Sequence, residues 1–302
     1  LNGNIGYLDI SAFCSLNQFS KETAKAALKM LSSSDAVIID LRYGLGGSPE
    51  MVNYIASAFF KERTHLADIY VRHQKFTYKY WTEPDSIFYL LYEVPLYILT
   101  SYKTFSASEG LSYELQKLNR ATIIGEVTRG GAHTTIKKSL GYGFITDIPC
   151  GRATTRTTHS NWEKKGVIPD INVSADKALE TAELKIIENA FAKTKDTTKT
   201  KYLNWQFDII KAINNPIQID SLTLLSFSGT YGSYEISYSN GSLYYQKTGK
   251  AKFPLIPMTK YVLKAKGNDT FKVEFIPNSN MPVYKIITYY DDGRIEYANR
   301  SK

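Results

Sequence analysis

Short β-branched runs alternate with stretches of helical periodicity through the first half of this chain, and that alternation constrains the fold more than any other feature. Ala36-Val37-Ile38-Ile39-Asp40-Leu41 reads as a buried strand. Ser48-Pro49 then supplies an N-cap and a first-turn proline, and Met51, Val52, Ile55 and Phe59 follow at helical spacing. Val94-Pro95-Leu96-Tyr97-Ile98-Leu99-Thr100 is a second buried strand, with a helix expected from about Ser106 to Leu118 behind it. Ala121-Thr122-Ile123-Ile124-Gly125-Glu126 is the next strand. Strand–helix units joined by short connections call for a largely parallel sheet covered by helices.

An amphipathic helix carrying Leu179, Ala182, Leu184, Ile187 and Phe191 closes this part. The polar run Thr194-Lys195-Asp196-Thr197-Thr198-Lys199-Thr200-Lys201 reads as a linker or helix end. After Leu222 the texture changes to tyrosine-rich alternation, as in Tyr234-Glu235-Ile236-Ser237-Tyr238. Asn240-Gly241, Lys266-Gly267-Asn268-Asp269 and Asp291-Asp292-Gly293 punctuate it. Asn-Gly and Asp-Gly turns between alternating segments are hairpin chemistry. The expected architecture is therefore an α/β core over residues 1–200 and a small antiparallel β-barrel or sandwich over 201–302.

Composition removes several function classes. A net charge of +8 is spread over 302 residues with no arginine-rich stripe, so a solvated basic surface is expected and nucleic-acid binding is not. No apolar run is long enough to span a bilayer, and nothing at the N-terminus reads as a signal peptide. The chain opens on Leu1 without an initiator Met, as a piece of a longer precursor would. Cys14 and Cys150 lack metal-ligand spacing and neighbour apolar segments, so buried free thiols are expected. The histidines (His65, His73, His133, His159) form no paired motif, and no metal or organic cofactor is expected.

Three loops carry chemistry. The stretch Gly44-Leu45-Gly46-Gly47-Ser48-Pro49 places flexible backbone and a helix N-terminus after a strand, where amides can hold an anion. The stretch Thr104-Phe105-Ser106-Ala107-Ser108-Glu109-Gly110 puts a hydroxyl at a strand-to-helix junction. That serine is either a plain N-cap or a nucleophile. A nucleophile needs a base and donors aimed at the developing oxyanion, which the amide of Ala107 and one from Gly46 or Gly47 can supply. The third stretch, Asn161-Trp162-Glu163-Lys164-Lys165-Gly166, sets a carboxylate beside a tryptophan and a glycine turn.

Order and spacing join these pieces. Gly6-Tyr7-Leu8-Asp9-Ile10, Asp40-Leu41-Arg42-Tyr43 with Gly46-Gly47, Thr104-Phe105-Ser106-Ala107-Ser108-Glu109, Gly125-Glu126-Val127-Thr128-Arg129-Gly130-Gly131-Ala132-His133, Ile148-Pro149 and Gly166-Val167-Ile168-Pro169-Asp170 together resemble the tail-specific, or C-terminal processing, serine peptidases. The resemblance implies a ClpP/crotonase-like αβ spiral core, Ser106 as nucleophile, Ala107 with Gly46 or Gly47 as the oxyanion hole, and an acyl-enzyme reaction on extended peptides. One branch of that family uses a lysine where this chain has Gly131, so a Ser–Lys dyad is absent. The sequence resembles more the tricorn-core and interphotoreceptor retinoid-binding branch, whose Ser–His–Ser–Glu tetrad matches Glu163. Its histidine and second serine would lie upstream of Leu1, with His133 the alternative base inside the chain. The resemblance also implies an extracytoplasmic location. A catalytically silent module that binds a hydrophobic ligand or peptide is the alternative function.

Overall fold

The computed structural model describes residues 1–84, 91–278 and 283–301. The chain forms two compact units, Leu1–Ile186 and Ile187–Lys302. In chain order the first contains β1 (Ile5–Asp9), α1 (Gln18–Met30), β2 (Ala36–Asp40), α2 (Pro49–Ser57), β3 (His65–Val71) and β4 (Phe76–Trp81). It continues with β5 (Leu96–Thr100), α3 (Ala107–Lys117), β6 (Ala121–Gly125), β7 (Thr135–Gly141), β8 (Phe144–Pro149), β9 (Gly151–Thr155) and β10 (Ile171–Asn172). The unit boundary falls inside α4 (Ala178–Lys193), not at residue 200.

Strands β1, β2, β5, β6 and β10 form a parallel sheet in the order β1-β2-β5-β6-β10. Strand β2 lies inside it with every residue buried, and its alternation explains the layers. Val37 and Ile39 pack on one face with Leu28 of α1, Val52 and Ile55 of α2 and Leu111 of α3. Ala36 and Ile38 face the other way, against Ala178, Ala182 and Ile186 of α4. Successive side chains of a strand point to opposite faces, so one β-branched run serves two helical layers.

Asp40, at the end of β2, ties the sheet edge together. It accepts Tyr7 Oη from β1 at 2.6 Å and a bidentate contact from Arg42, whose Nη1 donates to Ala175 O at 2.8 Å. Burial pushes the Asp40 carboxyl upward, but the bonds from Arg42 and Tyr7 outweigh it and hold the group below its ordinary range. Burial and the Asp40 carboxylate together raise the Tyr7 hydroxyl to about 12. The glycine-tyrosine and aspartate-arginine motifs are thus joined as scaffold. Beside the sheet, β3 pairs with β4 and β9, and β7 with β8 forms a hairpin whose residues are largely exposed. Both cysteines are free, but Cys14 is exposed, which corrects the expectation of a buried thiol. Its neighbour Phe13, 2% exposed and bridged to Gly47, takes the core position instead.

The second unit begins with helix, where the sequence suggested a linker or helix end. Asp196 caps α5 (Thr197–Asn214) through Thr198 N at 2.7 Å, so the polar run is a helix start. Leu203, Gln206, Ile209 and Ile210 make its buried stripe. After α6 (Ser221–Phe227) come eight antiparallel strands in sequential order. They are β11 (Gly229–Tyr231), β12 (Tyr234–Ser239), β13 (Ser242–Lys247), β14 (Lys252–Pro257), β15 (Val262–Ala265), β16 (Phe271–Pro277), β17 (Val283–Tyr290) and β18 (Ile295–Asn299). Asn240 and Gly241, both at positive φ, make the two-residue turn between β12 and β13. A bridge from Tyr231 to Arg300 brings first and last strands together, so the sheet is a nearly closed barrel. Glu296 of β18 reinforces the seam by accepting from Tyr234 Oη of β12, from Lys247 Nζ of β13 at 2.9 Å and from Tyr290 Oη at 3.0 Å.

Candidate active site

Loops leaving the carboxyl ends of β2, β5 and β6 all deliver residues to one pocket, the edge at which open α/β sheets hold ligands. Ser106 sits at the N-cap of α3 with φ 55° and ψ −120°. A residue that merely caps a helix is extended there, and such a backbone costs a non-glycine residue about 1–3 kcal/mol. The surrounding bonds impose it. Ser106 N donates to Glu109 Oε2 at 2.8 Å, and Phe105 N donates to Gly44 O at 2.9 Å.

The glycine loop after β2 interlocks with this turn. A Cβ on Gly46 would stand 2.7 Å from Ser106 Cβ and 2.8 Å from Ala107 N, so only glycine allows the two backbones to approach this closely. Gly46 N donates to the buried Ser108 Oγ at 3.1 Å, which occupies it. Gly47 and Ala107 line the pocket beside Ser106. The amide of Ala107, as the first residue of α3, has no acceptor within the helix.

Glu109 joins the serine turn to the loop after β6. Fully buried, it accepts Ser106 N and Gly131 N on Oε2 at 2.8 and 2.9 Å. Its Oε1 accepts Thr128 Oγ1 at 2.5 Å and Gly130 N at 2.6 Å. A buried carboxylate ringed by donors is stable where an unpaired one would not be. A Cβ on Gly131 would run into the Phe105 ring, so this packing has no room for a lysine side chain at that position. Trp162, 4% exposed, donates Nε1 to Gly131 O at 3.1 Å. The next residue, Glu163, accepts Ala132 N on Oε2 at 2.8 Å, and His133 Nδ1 lies 3.7 Å from the same oxygen. That separation is an ion-pair distance, too long for a hydrogen bond.

Ser106, Ala107, Gly47 and His133 therefore share one pocket, and Glu163 reaches it through His133 and Ala132. Sequence reasoning assigned no role to Glu109, although its spacing three residues after the N-cap serine is a capping-box signal. It also passed over Ser108, which takes the Gly46 amide, and Asn53 and Glu114, which line the pocket from α2 and α3. Among the described residues no cluster of His, Cys, Asp and Glu is arranged to hold a metal ion.

A family model described as peptidase family S41 matches residues 4–173. Among solved structures, the photosystem II D1 C-terminal processing protease is 25% identical with a TM-score of 0.47, over 57% of this chain and 42% of that one. A lipoprotein from Streptococcus agalactiae is 19% identical with a TM-score of 0.48, over 63% and 68% of the two chains. Mature CPAF complexed with lactacystin is 14% identical with a TM-score of 0.49, over 71% and 54%. The chain thus spans less than half the length of the D1-processing protease it matches.

Proposed function

The chain belongs to peptidase family S41, and on that premise we propose that it is a serine peptidase acting through an acyl-enzyme on Ser106. The observation that carries this reading is the strained Ser106 turn, held beside the pocket-lining residues Gly47 and Ala107. In the proposed reaction Ser106 Oγ attacks the scissile carbonyl carbon while a histidine takes its proton. The carbonyl oxygen becomes an oxyanion and accepts from the Gly47 and Ala107 amides. The histidine then protonates the leaving amine, and water attacks the acyl group to release Ser106. Gly46 serves this site by its lack of a side chain, and Gly47 is the second donor.

Glu163 orients the histidine through an intervening serine, and its charge stabilises the imidazolium. The family resemblance puts that histidine upstream of residue 1. A second reading, supported by the 3.7 Å approach of His133 to Glu163, makes His133 the base. The substrate is an extended peptide, and a location outside the cytoplasm follows from the resemblance alone. No helix among the described residues is long and apolar enough to cross a membrane.

A fluorophosphonate reporter tests the nucleophile. We expect labelling at Ser106, found by peptide mapping and abolished by Ser106→Ala, in the chain extended upstream of Leu1. A silent binding module would leave Ser106 unlabelled there. Equal labelling of the 302 residues alone, lost in His133→Ala, would transfer the role of base to His133.

A further inference from the structure

The pocket beside Ser106 runs between α2 and α3, and its far wall carries a feature that acyl transfer does not use. Ala107, Gly110 and Glu114 follow one another along one face of α3, and Val52 and Asn53 face them from α2. Ile69, Ala153 and Trp162 complete an apolar sleeve. Glu114 is 8% exposed, and burial raises its carboxyl to about 8, with no opposing charge or side-chain hydrogen bond among the described residues. The buried Asn53 Oδ1 in the same wall has no hydrogen-bond partner among the described residues. Its Nδ2 donates to Trp81 O, which fixes the orientation of the amide, since a flipped group would set oxygen against oxygen. Neither lysine nor arginine occurs among the described residues that line the pocket.

The described lining of the pocket therefore offers two acceptors beyond an apolar sleeve and no lysine or arginine to meet them. Eight residues of helix separate Ser106 from Glu114, about 12 Å. Helical side chains lean toward the N-terminus, which shortens that gap toward the length of an extended lysine side chain. We propose that this pocket receives a lysine or arginine side chain of the substrate next to the scissile bond, with Glu114 as the specificity-determining residue. The methylene stem fills the sleeve, and the charged head supplies the donors that Glu114 and Asn53 lack. A carboxylate that is costly to ionise alone is ionised readily beside a bound cation.

The inference rests on the reading of Ser106 as nucleophile, and binding separates the two. In the Ser106→Ala chain, calorimetry compares acetylated tripeptide amides that differ only in ending in lysine, norleucine or glutamine. The lysine peptide should bind about tenfold or more tightly than norleucine, and adding Glu114→Gln should bring the two within about twofold. Should that variant fail to fold, Glu114→Met replaces it, with norleucine expected to bind better than lysine. Equal affinities before the substitution, an advantage that survives it, or tightest binding of the glutamine peptide would overturn the proposal. A labelled Ser106 without lysine preference sinks this inference alone. Lysine preference with an unlabelled Ser106 sinks only the peptidase reading.

Discussion

Ser106 stores strain that nothing in its own chemistry requires. Its φ of 55° is maintained by Glu109 on its amide and by the Gly44 and Gly46 backbone packed against the turn. Glycine adopts that backbone freely, so Ser106→Gly should raise the unfolding free energy by about 1 kcal/mol, after the added entropy of the unfolded chain is deducted. Ser106→Ala keeps the strain and should leave stability nearly unchanged. Denaturant titration of the three proteins reads the difference, and a destabilised glycine variant would mean that the hydroxyl is a structural cap. Glu163→Gln makes the complementary test in rate. It keeps shape and hydrogen bonding but removes the charge that the proposed mechanism sets behind the base, so on that mechanism kcat should fall about a hundredfold or more with little change in stability. Peptide hydrolysis by the upstream-extended chain measures it, and an unchanged kcat would remove Glu163 from the mechanism.

Individual elements carry opposite pH dependences. In α3 the Glu114 carboxyl titrates near 8, against 4.5 for the free side chain. The folded state holds that proton more tightly, so its stabilising effect is complete below 4.5 and is lost as pH rises toward 8. At about 1.4 kcal/mol per pH unit the loss amounts to a few kcal/mol, and Glu114→Gln should flatten it. In β18 the sign reverses. Bonds from Tyr234 and Lys247 outweigh burial and hold Glu296 down at about 2. Its contribution is present above 4.5 and disappears as pH falls toward 2. Glu296 remains partly open to solvent, so screening makes that effect the smaller of the two. Unfolding free energies measured from pH 4 to 9, with and without Glu114→Gln, check the first sign. A wild-type profile that rises from pH 5 to 8 would contradict it.

At the scale of the molecule, two cores predict two transitions. The first unit is built around the buried β2, and the second around Phe227, stacked on Phe275 at 4.6 Å, with Tyr231 and Val273. Each core closes on itself, so calorimetry should resolve separate unfolding events, with the Glu114 effect confined to the first. Residues 196–302, which start at the Asp196 cap, should fold alone and unfold cooperatively. A single transition shared by both units, or an unfolded 196–302 piece, would show that the barrel depends on the first unit.

The sequence alone determined the strand–helix alternation of the core, the hairpin turns of the barrel and the serine junction, because each rests on local periodicity or local backbone chemistry. Ala36–Asp40 is legible as a buried strand since its apolar run serves two faces, and Asn240-Gly241 as a turn since few pairs accept two positive φ angles. Helix α5 was missed because its threonine- and lysine-rich first turn resembles a linker, although Leu203, Gln206 and Ile210 carry the helical spacing. That the Gly46 amide is taken up by Ser108 Oγ was undecidable from the chain, since this bond joins residues 62 apart. Glu109 and Glu114 are both acids on one helix, yet one is ringed by donors and the other lies in an apolar wall. Only tertiary packing makes that distinction, because the environment of a charge is set by what other segments bring to it and not by its own neighbours in sequence.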